Sequence, residues 1–357
     1  MVTPSRQRVG PYELFAPIAS GGFGQVFLAR KVAAFGFTRP VALKCLHEGR
    51  ADDQAVLSMF IDEARIASKI QHRNVASVID VFEHDKRLWL AMEFVQGEAL
   101  SRLLERSAEL GSQVPLPICA GIALGLLEGL HAAHEATDDR GAPLAVVHRD
   151  VSPHNVIVSV HGIVKVVDFG IAKSAGRVAV TRDGHVKGKL AYMAIEQLAG
   201  GEVDRRCDLF AAGVVLWELI AGTRLFTSTN PDEVVERPEP KELSARLPRG
   251  GQALREVVER ALTPAVKKRF QTAAEMAAAI EAATTVATAR ELADWLSSLA
   301  GASLERQASL LSDLDSERPR SSRPPPAPEL VTESAVVVSP KLPAPLEGSA
   351  PEVGSPH

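Results

Sequence analysis

The segment His148-Arg-Asp-Val-Ser-Pro-His-Asn155 runs into the apolar stretch Val156–Val158, and a second apolar stretch, Val164–Val167, leads into Asp168-Phe-Gly170. Short β-branched stretches on either side of a connection predict two antiparallel strands. The polar residues that precede the first strand and follow the second then lie at one end of a hairpin. We expect them to face a common cleft.

Three side chains at that end carry chemistry: Asp150, Asn155 and Asp168. Carboxylate and amide oxygens are the ligands that Mg²⁺ prefers, and this ion commonly shares its coordination with substrate phosphates. One carboxylate remains to orient a hydroxyl group. Turn chemistry, which favours aspartate, explains Asp150 and Asp168 separately, but the ordered set of three favours a magnesium and phosphate site.

A glycine-rich stretch, Ile18-Ala-Ser-Gly-Gly-Phe-Gly-Gln-Val26, lies between two predicted strands. Gly21 and Gly24 would let the backbone bend over phosphate groups, with its N–H groups toward their oxygens. The alternatives are an ordinary hairpin turn and a dinucleotide-binding fold, in which a helix follows the glycines directly. The β-like residues Gln25–Arg30 argue against the dinucleotide fold.

The apolar strand Val41-Ala-Leu-Lys44 ends in a lysine, which solvation of a strand end also explains. In the predicted helix Gln54–Ile70, Glu63 shares the inward apolar face with Phe60 and Ala67, because these positions recur at helical spacing. A buried glutamate needs a cation. We therefore expect Glu63 to pair with the lysine.

The wider pattern changes character at Gly97. Short β-rich stretches with one helix come before it and long helical segments come after it, which predicts an α+β protein with a small antiparallel lobe and a larger, mainly helical lobe. The predicted strands are Glu13–Ala19, Gln25–Arg30, Val41–Cys45, Val78–Phe82 and Leu88–Phe94, and the clearest helices are Ile118–His134 and Leu209–Ile220. A further helical pattern covers Thr272–Leu311, and the Pro- and Ser-rich residues that follow bury too little apolar surface to fold.

The 357 residues carry 40 Lys and Arg against 44 Asp and Glu, with neither sign in a block, so no nucleic-acid partner is expected. Cys45, Cys119 and Cys207 show neither disulfide nor metal-ligand spacing, which favours a reducing compartment. The longest apolar stretches, Ile118–Leu130 and Leu209–Ala221, are too short or too interrupted to span a bilayer. We expect a cytoplasmic protein without a membrane segment; its oligomeric state stays open.

Taken in order, the motifs resemble the signature set of protein kinases: a glycine-rich loop, Val-Ala-Leu-Lys, a helix glutamate, His-Arg-Asp with an asparagine five residues later, and Asp-Phe-Gly. Asp208, at the start of a helix, completes the series. The resemblance covers roughly residues 12–282 and points to the eukaryotic-like serine/threonine kinases of bacteria. It implies a bilobal kinase fold that transfers the γ-phosphate of Mg-ATP to hydroxyl groups of proteins, the chain itself among them.

The resemblance also implies a role for each site residue. Asp150 would orient the substrate hydroxyl, Glu63 would orient Lys44 on the α- and β-phosphates, and Asn155 and Asp168 would hold Mg²⁺. The residues that would border ATP are Ile18, Ala19, Ser20, Gly21, Gly22, Phe23, Gly24, Gln25, Val26, Ala42, Lys44, Met92, Glu93 and Val95, the last three at the adenine. Arg269 and Glu196 would form a structural ion pair.

Five regions follow from this resemblance: an N-terminal extension (1–10), a kinase N-lobe (11–95), a kinase C-lobe (96–283), a C-terminal helical extension (284–314) and a disordered tail (315–357). Thr181 is the predicted autophosphorylation site, since it lies in the middle of the activation segment and Arg149 resembles the arginine that binds a phosphate there. The alternative is that Thr181 is an ordinary solvated hydroxyl.

Four positions depart from the family pattern. Ala19 replaces a glycine, Ser152 replaces the lysine that follows the catalytic aspartate by two residues, Lys189 replaces a threonine, and Ile195 replaces the proline of Ala-Pro-Glu. Loss of one preorganised contact costs about 10²–10³ in rate, whereas loss of the metal site would be far worse. Retention of Asp150, Asn155 and Asp168 therefore favours an active kinase over a pseudokinase that binds ATP without transfer. Pro153 favours serine/threonine over tyrosine specificity.

Overall fold

The computed structural model describes residues 7–21, 24–32, 38–46, 60–61, 64–169, 190–227 and 238–316. They form a small lobe built on an antiparallel sheet and a larger, mainly helical lobe, connected through residues 94–96. The predicted α+β bilobal architecture is therefore confirmed.

The small lobe contains a six-stranded sheet with the order β1-β2-β3-β4-β6-β5. Its strands are β1 (Arg8–Val9), β2 (Tyr12–Gly21), β3 (Gly24–Val32), β4 (Thr38–Leu46), β5 (Val78–His84) and β6 (Arg87–Glu93). The sheet begins inside the segment assigned to an N-terminal extension, because Arg8 and Val9 pair with Glu13 and Tyr12. Val9 is fully buried, which anchors this short edge strand.

Residues 60–61 and 64–67 are helical within the predicted helix Gln54–Ile70. Phe60, Ala64 and Ala67 are buried, and the first two pack against Leu90 of β6. The predicted inward positions of Phe60 and Ala67 are thus confirmed. Glu63, expected on the same face, lies outside the described residues.

The large lobe begins with a three-stranded sheet in the order β7-β8-β9 and continues as helices. The strands are β7 (Gly97–Ala99), β8 (Val156–Ser159) and β9 (Val164–Val166). The helices are α1 (Leu100–Glu109), α2 (Leu116–His134), α3 (Ile195–Leu198), α4 (Arg206–Ala221), α5 (Pro240–Ala245), α6 (Arg255–Ala261), α7 (Ala273–Ala283) and α8 (Ala289–Ser316). Helices α2 and α4 cross the centre of the main core.

Among the described residues, α2 alone is long and apolar enough to cross a membrane by length and composition. Helix α2 has 19 residues and is longer than the apolar stretch Ile118–Leu130. The prediction that this region is too short to span a bilayer was therefore wrong. However, 67% of its most apolar window is buried inside the protein. Helix α2 is therefore the central helix of a packed core.

The predicted helical region Thr272–Leu311 consists of two helices, α7 and α8. Thr284 ends α7 with an extended backbone, and the run Thr284-Thr-Val-Ala-Thr288 is rich in β-branched residues, which disfavour helix. Helix α8 then runs to Ser316, two residues beyond the predicted extension.

Cys45, Cys119 and Cys207 are buried. Burial raises the pKa of all three thiols, to about 12 for Cys119. They are core residues and form no disulfide.

Candidate active site

The sheet register gathers the predicted nucleotide contacts on one face of the small lobe. Val26 pairs with Lys44, and Ala42 pairs with Met92. Directly paired residues point to the same side of a sheet, as do positions two apart along a strand. The four side chains therefore share one surface, at which the apolar groups can cover a planar ring while Lys44 supplies a charge.

The glycine-rich stretch forms the end of the hairpin between β2 and β3. Ser20 pairs with Gln25, Gly21 pairs with Gly24, and Gly22 and Phe23 lie outside the described residues. Strand β3 begins at Gly24, so no helix follows the glycines and the dinucleotide-binding alternative is excluded.

Two further positions in this stretch have a defined environment. Ala19 lies in β2 and its φ is not positive, so the backbone there accommodates an alanine in place of a glycine. Ile18 is 41% exposed, an apolar surface that a bound ring can cover.

The connection between the lobes follows Glu93, the last residue of β6. The side chain of Glu93 accepts from Lys165 Nζ on β9, with 2.7 Å between Lys165 Nζ and Glu93 Oε1. Its backbone N–H donates to Ser77 O at 2.8 Å. These contacts fix the start of the connection, and Val95 lies two residues further, between the strands.

Lys44 and Asp168 meet across the cleft between the lobes. Lys44 Nζ donates to Asp168 Oδ1 at 2.8 Å. Asp168 has a φ of 55°, an uncommon value for a residue other than glycine. This backbone conformation places its carboxylate toward the small lobe. The expected Glu63 partner of Lys44 lies outside the described residues.

Asp150 and Asn155 are connected within the loop that precedes β8. Asn155 Nδ2 donates to the backbone carbonyl of Asp150 at 2.8 Å and to Asp150 Oδ2 at 3.2 Å. The N–H of Val167 donates to Asn155 O at 3.0 Å, and Val156 pairs with Val166. Asp150, Asn155 and Asp168 therefore lie at one end of the β8–β9 hairpin, as the sequence predicted.

A buried carboxylate, Asp208 at the start of α4, holds the loop that carries Asp150. Its Oδ2 is 2.8 Å from His134 Nε2, and its two oxygens accept the backbone N–H groups of His148 and Arg149, each at 2.8 Å. Arg149 has a φ of 62°, and these hydrogen bonds help to hold that strained backbone. Burial alone would raise the pKa of Asp208, but the hydrogen bonds from His134 and His148 hold it below its usual value.

Arg269 and Glu196 form the predicted structural ion pair, which is confirmed. Arg269 Nη1 and Nη2 donate to the two Glu196 oxygens at 2.6 and 2.9 Å, and Arg269 is fully buried. A bidentate pair of this kind has a fixed geometry. It ties helix α3 to the segment before α7.

A second buried carboxylate, Glu218 near the end of α4, accepts from Tyr192 at 2.7 Å. Arg224 Nη1 donates to the same Tyr192 oxygen at 2.9 Å. Burial raises the pKa of Glu218, although the bond from Tyr192 opposes the shift. The cluster lines a cavity of about 220 Å³ that reaches Pro153 of the catalytic loop.

Ser152, which stands where the family pattern has lysine, is buried with 2% exposure. In the described part of the chain its hydroxyl oxygen has no hydrogen-bond partner. Ile195 is the first residue of α3, and the backbone N–H of its neighbour Ala194 donates to Gln197 Oε1 at 2.9 Å. Lys189 and Thr181 lie outside the described residues.

The polar groups at the end of the hairpin fit Mg²⁺ by their chemistry. The NH₂ group of Asn155 donates to Asp150, so its carbonyl oxygen points elsewhere, and Asp168 supplies a carboxylate at the same end of the hairpin. No group of three His, Cys, Asp or Glu side chains forms a metal centre within the described ranges. Asn155 and Asp168 would thus hold Mg²⁺ together with phosphate oxygens.

Sequence reasoning missed three contacts that shape this site: Lys44 with Asp168, His134 with Asp208, and Lys165 with Glu93. A histidine at the end of the apolar helix α2 was a signal for a buried polar partner. The contacts of Lys44 with Asp168 and of Lys165 with Glu93 join different lobes or sheets, so no local sequence pattern predicts them.

Comparison with known proteins places these features in a family. Residues 12–279 match the family described as protein kinase domain. The chain is 38% identical over 286 residues to the tyrosine-protein kinase MasK of Myxococcus xanthus (strain DK1622), covering 78% of this chain and 44% of MasK. It is 34% identical to PknA of Corynebacterium glutamicum, named as a serine/threonine-protein kinase, covering 76% of this chain and 56% of PknA.

Two further relatives extend the comparison. PrkC of Bacillus subtilis, named as a serine/threonine-protein kinase, is 29% identical, with 77% of this chain and 40% of PrkC covered. The chain thus spans 40% to 56% of the length of these three curated relatives. The crystal structure of the Mycobacterium tuberculosis PknI kinase domain superposes with a TM-score of 0.59 at 27% identity, covering 80% of this chain and all of that one.

Proposed function

Because the chain belongs to the protein kinase family, we propose that it is an active serine/threonine kinase that transfers the γ-phosphate of Mg-ATP to protein hydroxyl groups. The observation that carries the proposal is the convergence of Lys44, Asp150, Asn155 and Asp168 on one cleft between the lobes. A scaffold that only bound partners would have no need of this set.

Each residue has a role that suits its chemistry. Lys44 holds the α- and β-phosphates, because its ammonium lies on the same face as the apolar groups that cover the adenine. Asp150 orients the substrate hydroxyl and accepts its proton, and Asn155 holds Asp150 in place through its NH₂ group. Mg²⁺, held by Asn155 and Asp168, would neutralise charge on the phosphates. Phosphoryl transfer depends chiefly on such positioning.

Two types of acceptor residue are candidates. Pro153 in the catalytic loop and the serine/threonine kinases PknA and PrkC support transfer to serine and threonine. The relative MasK is named as a tyrosine kinase and supports tyrosine as the second candidate. The three buried cysteines form no disulfide, which supports a reducing compartment and is the basis for proposing a cytoplasmic protein.

The test is incubation of the purified chain with γ-³²P-ATP, Mg²⁺ and myelin basic protein, followed by phosphoamino-acid analysis. We expect phosphoserine and phosphothreonine, and no label with Asp150→Asn. The matched control is Asp294→Asn, an exposed aspartate on α8, which should transfer like the wild type. Phosphotyrosine alone would overturn the serine/threonine assignment. Nucleotide binding without any transfer would leave a pseudokinase.

Mapping of the phosphorylated sites on the chain itself tests the autophosphorylation proposal. We expect phosphate on Thr181, which lies outside the described residues. A phosphate there adds about −1.5 to −2 charges, which Arg149 can bind. A Thr181→Ala chain should lose that label and most of its activity. Full activity in that variant, or no phosphate at Thr181, would remove it as the activating site.

A further inference from the structure

Helix α8 lies beyond residues 12–279, which match the kinase family, and it contacts both lobes. Its 28 residues have a length of about 42 Å at 1.5 Å per residue, enough to pass the connection between the lobes. Leu292, Leu296 and Ala300 join the main core of the large lobe, and Leu314 is buried near the other end. One face of the helix is therefore packed from Leu292 to Ala300 and again at Leu314.

The start of α8 is fixed on the large lobe. Thr288 and Glu291 form a reciprocal cap, in which Glu291 Oε2 accepts from the N–H of Thr288 at 2.7 Å and the Thr288 hydroxyl accepts from Glu291 N–H at 3.3 Å. The turn between β8 and β9 touches the first residue of the helix at Gly162. Gly162 has a φ of 67°, and a side chain there would collide with the carbonyl of Ala289.

The middle of α8 binds the chain that leaves the connection between the lobes. Gln307 Nε2 donates to Gly97 O at 2.8 Å, and Gly97 N–H donates to Gln307 Oε1 at 3.2 Å. One turn earlier, Ser303 Oγ donates to Glu98 Oε2 at 2.6 Å. A single side-chain amide therefore satisfies both backbone groups of Gly97, as a neighbouring strand would.

Gly97 is held tightly on its other side as well. It pairs with Ser159 of β8, and a Cβ atom at this position would collide with the carbonyl of Val158. The residue is thus clamped between β8 and Gln307. It lies two residues after Val95, which is expected to bind adenine through its backbone.

The end of α8 reaches the small lobe through a buried arginine on β3. Arg30 is 4% exposed, its Nη1 donates to Leu314 O at 2.7 Å, and its Nη2 is 2.6 Å from Glu13 Oε2. Carbonyl groups in the last turn of a helix lack intrahelical partners and carry a partial negative charge, so a cation there is favourable. The helix is anchored on both sides of the connection.

We propose that Gln307 is a positioning residue for ATP. Opening and closing of the lobes must turn about residues 94–96, and a helix fixed to both lobes limits that movement. By holding Gly97, Gln307 sets the position from which the backbone of Glu93 and Val95 presents hydrogen-bonding groups to adenine. The inference rests on the proposed function in one respect, namely that ATP is the nucleotide.

The test compares Gln307→Met, which keeps the size of the side chain and removes both hydrogen bonds, with Glu305→Ala on the exposed face of the same helix. The probe is the fluorescent nucleotide mant-ATP with Mg²⁺, followed by kinetics of ³²P transfer to myelin basic protein. We expect Gln307→Met to raise the Kd for mant-ATP and the KM for ATP by about tenfold, because two backbone groups lose their partners. The kcat should stay within about twofold, and Glu305→Ala should match the wild type.

The KM-against-kcat split separates positioning from general damage, which would lower kcat and the melting temperature together. Hydrogen exchange of the peptide that contains Gly97 should be faster in Gln307→Met. A Kd raised by less than about threefold in a folded Gln307→Met chain overturns the inference. If that variant does not fold, Gln307→Glu, which still accepts but cannot donate, decides by the same threshold.

The two proposals fail separately in this design. A wild-type chain that binds mant-ATP but transfers no phosphate overturns kinase activity, while its Kd still tests Gln307. A wild-type chain that transfers phosphate, together with an unchanged Kd in Gln307→Met, overturns the role of Gln307 alone.

Discussion

Lys44 Nζ lies 2.8 Å from Asp168 Oδ1, so a lysine of the small lobe and the carboxylate that follows β9 pair directly across the cleft. The Lys44 side chain is 13% exposed and that of Asp168 is 36% exposed. Solvent screens a pair of this kind in part, so its contribution to stability is small. Its main consequence is that both groups are already positioned where phosphates and a metal ion would bind.

We predict that Lys44→Met abolishes phosphate transfer but leaves the fold intact. The methionine fills the same space without the charge, and losing the partly exposed pair costs only about 1 kcal/mol of unfolding free energy. Transfer of ³²P and the melting temperature measure the two effects. Lys241→Met, an exposed lysine on α5, is the matched control. Turnover like the wild type in Lys44→Met would contradict the assignment of the site.

Ser152→Lys should leave activity unchanged or raise it. The serine hydroxyl makes no hydrogen bond within the described residues, so replacing it breaks none, and a lysine restores the cation that the family pattern has two residues after the catalytic aspartate. The measurement is kcat with myelin basic protein, and Ser152→Ala shows the effect of losing the hydroxyl alone. A fall of more than about tenfold, or roughly 1.4 kcal/mol in the barrier, would mean that the loop is built around the buried serine.

Asp208→Asn should destabilise the fold and reduce transfer. The amide can accept only one of the two N–H groups that Asp208 now binds, and removal of one partner from a buried charged group costs about 3–5 kcal/mol. Urea unfolding measures the loss, and Asp294→Asn should show none.

The same variant has a predicted pH signature. The pKa of Asp208 is lowered in the folded state, so its stabilisation is present above the usual value of 3.8 and is lost as the pH falls through the lower, folded value. The wild type should therefore lose unfolding free energy over this acidic window. Asp208→Asn should lack that part of the slope, and equal slopes in the two proteins would contradict the role given to Asp208.

Removal of residues 320–357 should change neither the melting temperature nor the transfer rate, because their Pro- and Ser-rich composition offers little to a core. Removal from Ala289 onward should destabilise the chain strongly, since Leu292, Leu296 and Leu314 each contribute about 1.5–3 kcal/mol by burial. Thermal unfolding of both truncated chains measures the change in melting temperature. A clear fall for the shorter truncation would show that the tail docks on the kinase domain.

Local patterns were sufficient to predict much of this fold. The strands β3 and β4 extend only one to three residues beyond their predicted ends, because β-branched and apolar residues dominate them. The meeting of Asp150, Asn155 and Asp168 followed from a hairpin alone. The break between α7 and α8 falls at the β-branched run that starts at Thr284, the first residue of the predicted C-terminal extension.

Contacts between distant parts of the chain were beyond that reasoning. Asp208 meets His134 from 74 residues away, and Gln307 meets Gly97 from 210 residues away. Periodicity predicts which face of a helix is buried, but it does not say which polar group the face will meet. Such pairs depend on how whole elements pack, so only the folded chain reveals them.

The burial of the native thiols has a practical consequence. Only the thiolate reacts readily with maleimides, and burial raises the pKa of Cys45, Cys119 and Cys207. Cysteines introduced at exposed Arg39 and Glu202, one on each lobe, would therefore be the sites that take spin labels. The native cysteines therefore stay unlabelled, and the distance between the two spin labels can be measured as nucleotide is added.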